Sequence, residues 1–237
     1  MEYVKLHEWP DNANDAVRVQ ETLRKQLILE SRFDRAELVA AVDTAYNDKI
    51  NRLYAAAVTV RLPEMNDIER SVAEMEAKFD YIPALLSFRE GPVILKVLSR
   101  LQIRPDVVIF AGHGLAHPRS FGLASHMGLL VDMPSIGCAR KLLSGEFNMP
   151  DQEQGACSPL YVANVKCGYV YRTKSNVKPM FISPGHLCSI PDALAVVKKC
   201  LTEYRMPEPL RLAHLFASKY KQSAERKLGL RKPKRQR

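Results

Sequence analysis

The sequence predicts an α/β protein with a mixed sheet, in which an antiparallel meander is followed by parallel strands with helices on both faces. Two observations predict this class. Three strand-like runs come first, and only short polar stretches such as residues 47–49 and 63–66 separate them, which is typical of antiparallel neighbours. Two units then follow in which a helical segment leads into a short apolar run, the pattern of a buried parallel strand.

The first elements are predicted from local patterns, in chain order. Apolar residues recur at helical spacing over residues 15–29, so that segment is predicted as a helix. The meander strands are predicted at residues 38–45, 54–62 and 68–74. The two units after the meander are predicted as a helix at 85–101, a strand at 106–110, a helix at 121–130 and a strand at 135–138.

The last third of the chain completes the predicted fold. Short runs suggest peripheral strands at residues 161–162, 169–172 and 180–182. Residues 191–204 are predicted as a helix with a proline in its first turn, and residues 211–220 as a final helix. With right-handed crossovers between the parallel strands, this order of elements gives the RNase H-like arrangement.

Composition places the chain among ordinary cytoplasmic proteins. Its 237 residues are 46% hydrophobic and 26% charged, enough to bury one sizeable core. No segment approaches the roughly 20 apolar residues that span a bilayer, and charges interrupt the first residues, so we expect no membrane partner. The five cysteines include no C-x-x-C pair, which argues against a zinc site or a disulfide framework.

Positive charge is concentrated at the C-terminal end. Residues 219–237 contain nine lysines and arginines and one acid, which accounts for most of the net charge of +9. We therefore predict a single domain over residues 1–223, followed by a basic, disordered tail over residues 224–237. A basic tail suits a nucleic-acid partner because phosphate contacts supply non-specific affinity. A solvated tail that only improves solubility is the alternative.

The end of the strand predicted at residues 106–110 is the most informative stretch. It leads directly into a turn, residues 112–119, that contains two glycines, two histidines and an arginine. Open α/β sheets bind their ligands at the carboxyl ends of such strands. A carboxylate is expected at the tip of this strand, but position 111 is alanine. The sequence therefore indicates a metal site that lacks one ligand.

Three polar residues elsewhere are candidates for the same site. Asp43 ends an all-apolar run, and a buried unpaired charge is costly, so Asp43 must reach water or a partner; a turn-capping aspartate is the alternative. Glu90 lies beside apolar residues of a predicted helix, where a solvated glutamate is equally ordinary. His214 lies on an apolar helix, where most histidines are structural. None of the three is decisive alone.

Together these residues fall within motifs that occur in a known family. The motifs are Val42-Asp43-Thr44-Ala45-Tyr46, Tyr81-Ile82-Pro83, Ser87-Phe88-Arg89-Glu90, Gly112-His113-Gly114, His117-Pro118-Arg119, Gly122-Leu123-Ala124-Ser125-His126, Ser183-Pro184-Gly185-His186 and Arg211-Leu212-Ala213-His214. In this order they resemble endonuclease V, the deoxyinosine 3′ endonuclease family, over about residues 9–216.

The resemblance implies an RNase H-like endonuclease of DNA repair. Members of the family use Mg²⁺ or Mn²⁺ to hydrolyse the second phosphodiester bond 3′ to a deaminated base, chiefly inosine. Their metal-binding acids fall on Asp43 and Glu90, and their third acid falls on Ala111. Their catalytic histidine falls on His214, and a catalytic lysine falls on Arg140. The positions that the resemblance assigns to the lesion and to DNA are Tyr81, Ile82, Pro83, Ala84, Leu86, Gly112 and His117.

Elementary chemistry agrees with these assignments. Mg²⁺ prefers oxygen and binds through a few carboxylates together with substrate phosphate and water. Such an ion generates hydroxide and neutralises developing charge. An aromatic side chain such as Tyr81, next to the stiff Ile82-Pro83 pair, can fill the gap that a displaced base leaves in the stack. Glycines such as Gly112 let backbone donors approach a ligand.

The chain departs from the family pattern at four positions. Ala111 cannot ligate a metal. Asp80 replaces a proline before the wedge tyrosine, and Ala84 replaces a glycine after it, so the local geometry of the pocket is open to question. Arg140 replaces the lysine and keeps its charge but not its reach. Ala111 is either an engineered inactivation or a natural variant, and the otherwise intact motif favours the first.

Three functions remain open at this point. The first is a monomeric, metal-dependent nuclease that acts on deaminated DNA, or on RNA, and is impaired by Ala111. The second is a non-catalytic reader that binds inosine-containing strands. The third, another RNase H-like nuclease such as a junction resolvase, has no use for the Tyr81-Ile82-Pro83 wedge.

Overall fold

An eight-stranded mixed sheet forms the centre of the protein. The computed structural model describes residues 1–230. The strands in chain order are β1 (Leu38–Asn47), β2 (Arg52–Arg61), β3 (Asn66–Glu76), β4 (Val107–Phe110), β5 (Ser135–Ala139), β6 (Cys157–Val162), β7 (Val165–Tyr171) and β8 (Met180–Pro184). Their order across the sheet is β3-β2-β1-β4-β5-β8-β7-β6.

The predicted mixture of strand directions is confirmed. β1, β2 and β3 form an antiparallel meander, and β4 runs parallel to β1, with Val42 opposite Phe110. β5 runs parallel to β4. Because β1 and β4 are parallel and in register here, the next residue of each strand, Asp43 and Ala111, emerges at the same edge of the sheet. The Ala111 N–H still donates to the Val42 carbonyl at 3.1 Å.

The three strands expected at the periphery extend this same sheet. β8 pairs antiparallel with β5 and all five of its residues are buried, while β7 and β6 follow outward. Each strand is also longer than predicted. The reason is that pairing with a neighbour, which is not visible in the chain itself, holds polar residues such as Ser158 and Lys166 in extended conformation.

Helices cover both faces of the sheet, as predicted. The helices among the described residues are α1 (Ala13–Leu23), α2 (Leu86–Leu98), α3 (Leu123–Val131), α4 (Ile190–Lys199) and α5 (Glu208–Lys227). On one face Ile109 of β4 belongs to a core cluster with Leu210 of α5. On the other face Phe110 packs in a cluster with Met127 of α3. Adjacent residues of one buried strand thus serve two cores.

The predicted bounds of three helices are wrong. α1 ends at Leu23 and is followed by a short 3₁₀ turn at Arg24–Gln26. α4 ends at Lys199, five residues before its predicted end. α5 is longer than predicted at both ends, because Pro209 suits a first helical turn and the helix continues along β1 and β2 as far as Lys227.

The extension of α5 changes the predicted boundary of the tail. Residues 224–227, which the sequence assigned to the tail, are helical. This last part of α5 is held by Tyr220, whose ring packs edge-on against Tyr54 at 5.6 Å, and by Lys221, which donates to the Tyr46 carbonyl. The basic residues at positions 231–237 lie outside the described residues. None of the helices in the described part of the chain is long and apolar enough to cross a membrane.

Two glycines allow the strand ends near the candidate site to pack backbone to backbone. A Cβ atom on Gly137 of β5 would lie 2.4 Å from the Gly114 nitrogen. A Cβ atom on Gly114 would lie 2.1 Å from the Pro184 carbonyl oxygen at the end of β8. Neither contact tolerates a side chain, so these glycines fix the loop after β4 against β5 and β8.

Candidate active site

Asp43, which lies inside β1, meets His214 beside the point where the parallel strand β4 ends. The Nδ1 atom of His214, on α5, lies 2.7 Å from Oδ2 of Asp43. The other carboxylate oxygen of Asp43 accepts the N–H of Thr44 at 2.8 Å. Because a histidine N–H and a backbone N–H both point at it, the Asp43 carboxylate has a defined orientation. The pair is separated by 171 positions in the chain.

Glu90 lies close to Asp43, on α2. Burial raises the pKa of Glu90 to about 7, and the negative charge of Asp43 adds to that rise. The Thr44 hydroxyl and the Arg89 cation act in the opposite direction and lower the pKa of Glu90. Two neighbouring carboxylates, one of them buried, repel each other, and a divalent cation between them would relieve the repulsion.

The donor chemistry of this pair fits Mg²⁺, which commonly binds one or two protein carboxylates and takes its other ligands from phosphate and water. Among residues 1–230, no three histidine, cysteine or acidic side chains converge closely enough to hold a metal unaided. Ala111 lines the same groove as Asp43. An alanine supplies no ligand atom to this groove.

A groove of about 420 Å³ extends from Asp43 past Ala111 to the exposed Arg140 and Lys141. The carbonyl of Arg140 accepts a hydrogen bond from Arg205 at 3.1 Å. Burial, and then the nearby charge of Arg140, lower the pKa of Arg205. The groove therefore has the Asp43 carboxylate at one end and neighbouring cations at the other, a polarity suited to a phosphodiester with bound metal.

A second pocket, of about 250 Å³, adjoins the groove, and Tyr81 and Lys141 line both. We call it the base pocket. It is bounded by all of the positions that the sequence assigned to lesion binding: Tyr81, Ile82, Pro83, Ala84, Leu86, Gly112 and His117. Tyr81 is 68% exposed. The structure thus brings together residues from two distant segments, and their roles remain predictions.

The polar atoms of two of these residues are engaged within the protein. Both ring nitrogens of His117 are used, since Nε2 donates to the Ala84 carbonyl at 2.8 Å and Nδ1 accepts the Arg119 N–H. Burial lowers the pKa of His117 to about 4, so its ring is neutral. The Gly112 N–H donates to the Phe110 carbonyl. The Gly112 N–H is therefore used within the turn that follows β4.

The N-terminus of α2 lies at the base pocket. Leu86 and Ser87, its first residues, line the pocket, and no side chain in the described part of the chain caps this helix. The first N–H groups of a helix have no partner within the helix and carry partial positive charge. The positive end of α2 therefore forms part of the wall of the base pocket.

Sequence reasoning missed several residues of the site. Gln20 lines the base pocket opposite Tyr81, as do His113 and the segment 141–143. A signal for Gln20 was present, because it continues the buried positions Ala16 and Leu23 of α1 at helical spacing. A polar residue on an apolar helix face needs hydrogen-bond partners. For Arg205 the sequence offered no comparable signal.

Ala84 has a backbone conformation that suits glycine. Its φ is +64°, in the left-handed region, which costs a residue with a Cβ about 1–2 kcal/mol. We predict that Ala84→Gly stabilises the protein by about 1 kcal/mol or less, because relief of this strain is partly offset by the greater freedom of glycine in the unfolded chain. Urea unfolding would measure it, and a clear loss of stability would contradict the strain.

The mixed sheet with helices on both faces is an RNase H-like fold, the fold of a class of nucleases. Within that class, the Endonuclease V family model matches residues 21–215. The chain therefore belongs to the endonuclease V family, as the motifs had indicated.

Individual relatives and solved structures support the same family assignment. Endonuclease V of Methanothrix thermoacetophila is 45% identical over 219 residues, 92% of this chain and 96% of that protein. Endonuclease V of Streptomyces avermitilis has a similar structure, with a TM-score of 0.86 at 35% identity over 91% of this chain and 96% of that one. Ciona intestinalis endonuclease V, bound to a 24mer DNA containing an inosine followed by a ribo-adenosine, superposes with a TM-score of 0.79 at 25% identity, covering 90% and 98%.

Proposed function

We propose that this chain binds strands containing inosine and that its groove is the site of a Mg²⁺-dependent endonuclease, strongly slowed by Ala111. The observation that carries the proposal is the junction at Tyr81, where a base-sized pocket meets a groove lined by the Asp43 carboxylate, with Glu90 close to Asp43. The Ciona relative holds inosine-containing DNA. The expected reaction is hydrolysis of the second phosphodiester bond 3′ to the inosine, with Mn²⁺ as a substitute metal.

The base pocket is suited to a keto purine. Hypoxanthine has a carbonyl oxygen where adenine has an amino group, and the uncapped N–H groups at the start of α2 can donate only to the carbonyl. Guanine shares that carbonyl but carries an additional amino group. The largely apolar walls, which include Ile82, Leu123 and Leu142, leave that group without an acceptor, which is costly.

The groove is suited to a phosphodiester. Asp43 and Glu90 would hold the metal, which supplies an activated water and neutralises charge when it is bound. His214 orients the Asp43 carboxylate through its 2.7 Å contact. Arg140 and Lys141 on the opposite wall attract the phosphate. Ala111 removes one ligand, so the ion is held more weakly while the cationic wall and the base pocket are retained.

A non-catalytic reader remains the second candidate function, because Ala111 removes a metal ligand needed for cleavage but leaves the binding surfaces in place. The test is incubation of the protein with inosine-containing single and double strands in Mg²⁺ and in Mn²⁺, with binding and cleavage both measured. Selective binding with slow cleavage at the second 3′ bond supports an impaired nuclease. Selective binding without any cleavage supports the reader, and equal binding of undamaged strands would contradict both.

Tyr81→Ala is expected to weaken binding of inosine-containing strands by about 1–3 kcal/mol, the value of one aromatic stacking contact. The unfolding midpoint should hardly change, because Tyr81 is largely exposed. Fluorescence anisotropy with labelled strands measures the affinity. Tyr161→Ala is the matched control, since this exposed tyrosine on β6 lines neither the base pocket nor the groove. An equal loss of affinity for undamaged strands would rule out the wedge role.

A further inference from the structure

The loop that carries the wedge tyrosine ends in a strained residue. Ala84 follows Tyr81-Ile82-Pro83 and has a φ of +64° without being glycine. Left alone, an alanine would relax toward negative φ, since its Cβ is crowded in the left-handed region. Such a relaxation would swing the Ala84 carbonyl and shift the three residues before it, which form one wall of the base pocket.

Three side chains hold the Ala84 carbonyl in place. Gln20 donates from Nε2 at 3.0 Å, His117 from Nε2 at 2.8 Å and Arg119 from Nη2 at 3.0 Å. The three are also tied to one another, because Arg119 donates from Nε to the Gln20 Oε1 atom at 2.6 Å, and its N–H donates to the His117 ring. We call Gln20, His117 and Arg119 the Ala84 clamp.

Burial makes the clamp stiff. Gln20 is 1% exposed and His117 is 2% exposed, so a turn of the Ala84 carbonyl away from them would leave buried donors without an acceptor. The Gln20 amide also donates to the Phe121 carbonyl at 3.0 Å, which fixes its own orientation. Gln20 comes from α1, while His117 and Arg119 come from the loop after β4. Two separate segments therefore fix the orientation of the Ala84 peptide group.

We propose that Gln20, His117 and Arg119 are positioning residues that hold the strained Ala84 peptide and thereby set the width of the base pocket and its preference for inosine. This proposal rests on the proposed function of the base pocket. The residue assigned here for the first time is Gln20, which lies more than 60 positions from any other member of the network. In this chain the clamp compensates for alanine at a position whose backbone suits glycine.

The test begins with Gln20→Met, which keeps the length of the side chain but removes its donors and its acceptor. The preference of the protein for an inosine-containing strand over the same strand with guanine should fall about tenfold. A merely structural change would lower both affinities alike. Glu21→Met is the matched control, because residue 21 lies on the exposed side of the same helix, and it should leave the preference unchanged.

Rescue by Ala84→Gly is the critical observation. Glycine adopts the left-handed conformation without strain, so it needs the clamp less. With Ala84→Gly alone as the reference, Gln20→Met in the Ala84→Gly background should lower the preference by at most about threefold instead of tenfold. If Gln20→Met does not fold, Arg119→Met provides the same comparison from a partly exposed position.

The possible outcomes distinguish a failure of the clamp from a failure of the proposed function. If the unaltered protein does not prefer inosine, the proposed function fails, and unfolding midpoints of the same four proteins still test the clamp. The loss of stability on Gln20→Met should then be smaller in the Ala84→Gly background. If the unaltered protein prefers inosine but Gln20→Met keeps the full preference, or lowers it as much in the Ala84→Gly background, the clamp is overturned and the proposed function stands.

Discussion

Replacing Ala111 with aspartate is expected to raise the single-turnover rate of cleavage of an inosine-containing strand by about a thousandfold or more in Mg²⁺. Ala111 follows β4 and lies beside Asp43 of the parallel strand β1, so we expect a carboxylate at this position to complete a set of oxygen ligands with Asp43 and Glu90. A better-held ion activates water and neutralises developing charge, and groups that act on such charge each contribute about 10²–10³ in rate.

The control for this experiment is Ala111→Asn, which has nearly the same shape as aspartate but no charge. It should restore little activity. In the absence of a divalent ion, Ala111→Asp should bind DNA more weakly than the unaltered protein, because a third negative charge faces the phosphate. Equal cleavage rates for the alanine and aspartate forms would show that position 111 is not a ligand. A folded aspartate form without activity would favour the reader.

Acidification from pH 7 to pH 5 is expected to destabilise the protein by several kcal/mol. Burial lowers the pKa of five histidines below the ordinary value of 6.5, and that of His113 and His117 to about 4. The other three are His7, His126 and His186. Below pH 6.5 the unfolded chain binds protons that the folded chain does not. Stability therefore falls by about 1.4 kcal/mol per pH unit for His113 and for His117 as the pH drops from 6.5 toward 4, and the other three histidines act in the same direction.

Glu90 acts in the opposite direction. Its folded pKa of about 7 lies above the ordinary value of 4.5, so its contribution to stability is lost as the pH rises from 4.5 to 7. One carboxyl opposes several histidines, and the net result is a loss of stability on acidification. Urea midpoints at pH 7 and pH 5 measure it, and Glu90→Gln should make the loss steeper. Equal stability at pH 7 and pH 5 would contradict the claim that the buried histidines stay neutral in the folded protein.

Much of the sheet could be predicted because its signals are local. The glycine-rich turn after Phe110 indicates a strand end regardless of its neighbours. The charge at Asp43 does not end β1, which continues to Asn47 because it stays paired with β2. The roles assigned to Tyr81 and Ala84 came from motifs. The sequence shows alanine at position 84 where the family has glycine. Only the structure shows that this alanine has a φ of +64° and is therefore strained.

The sequence by itself determined the class of the fold, the alternation of strands and helices, and the family, because periodicity and short motifs are properties of neighbouring residues. Only the tertiary structure decided the continuation of α5 to Lys227, the occupied ring nitrogens of His117 and the clamp that joins Gln20 to Ala84. Each of these depends on which distant backbone group lies within hydrogen-bonding distance of a polar atom. That distance is set when the chain packs, and no local pattern in the chain encodes it.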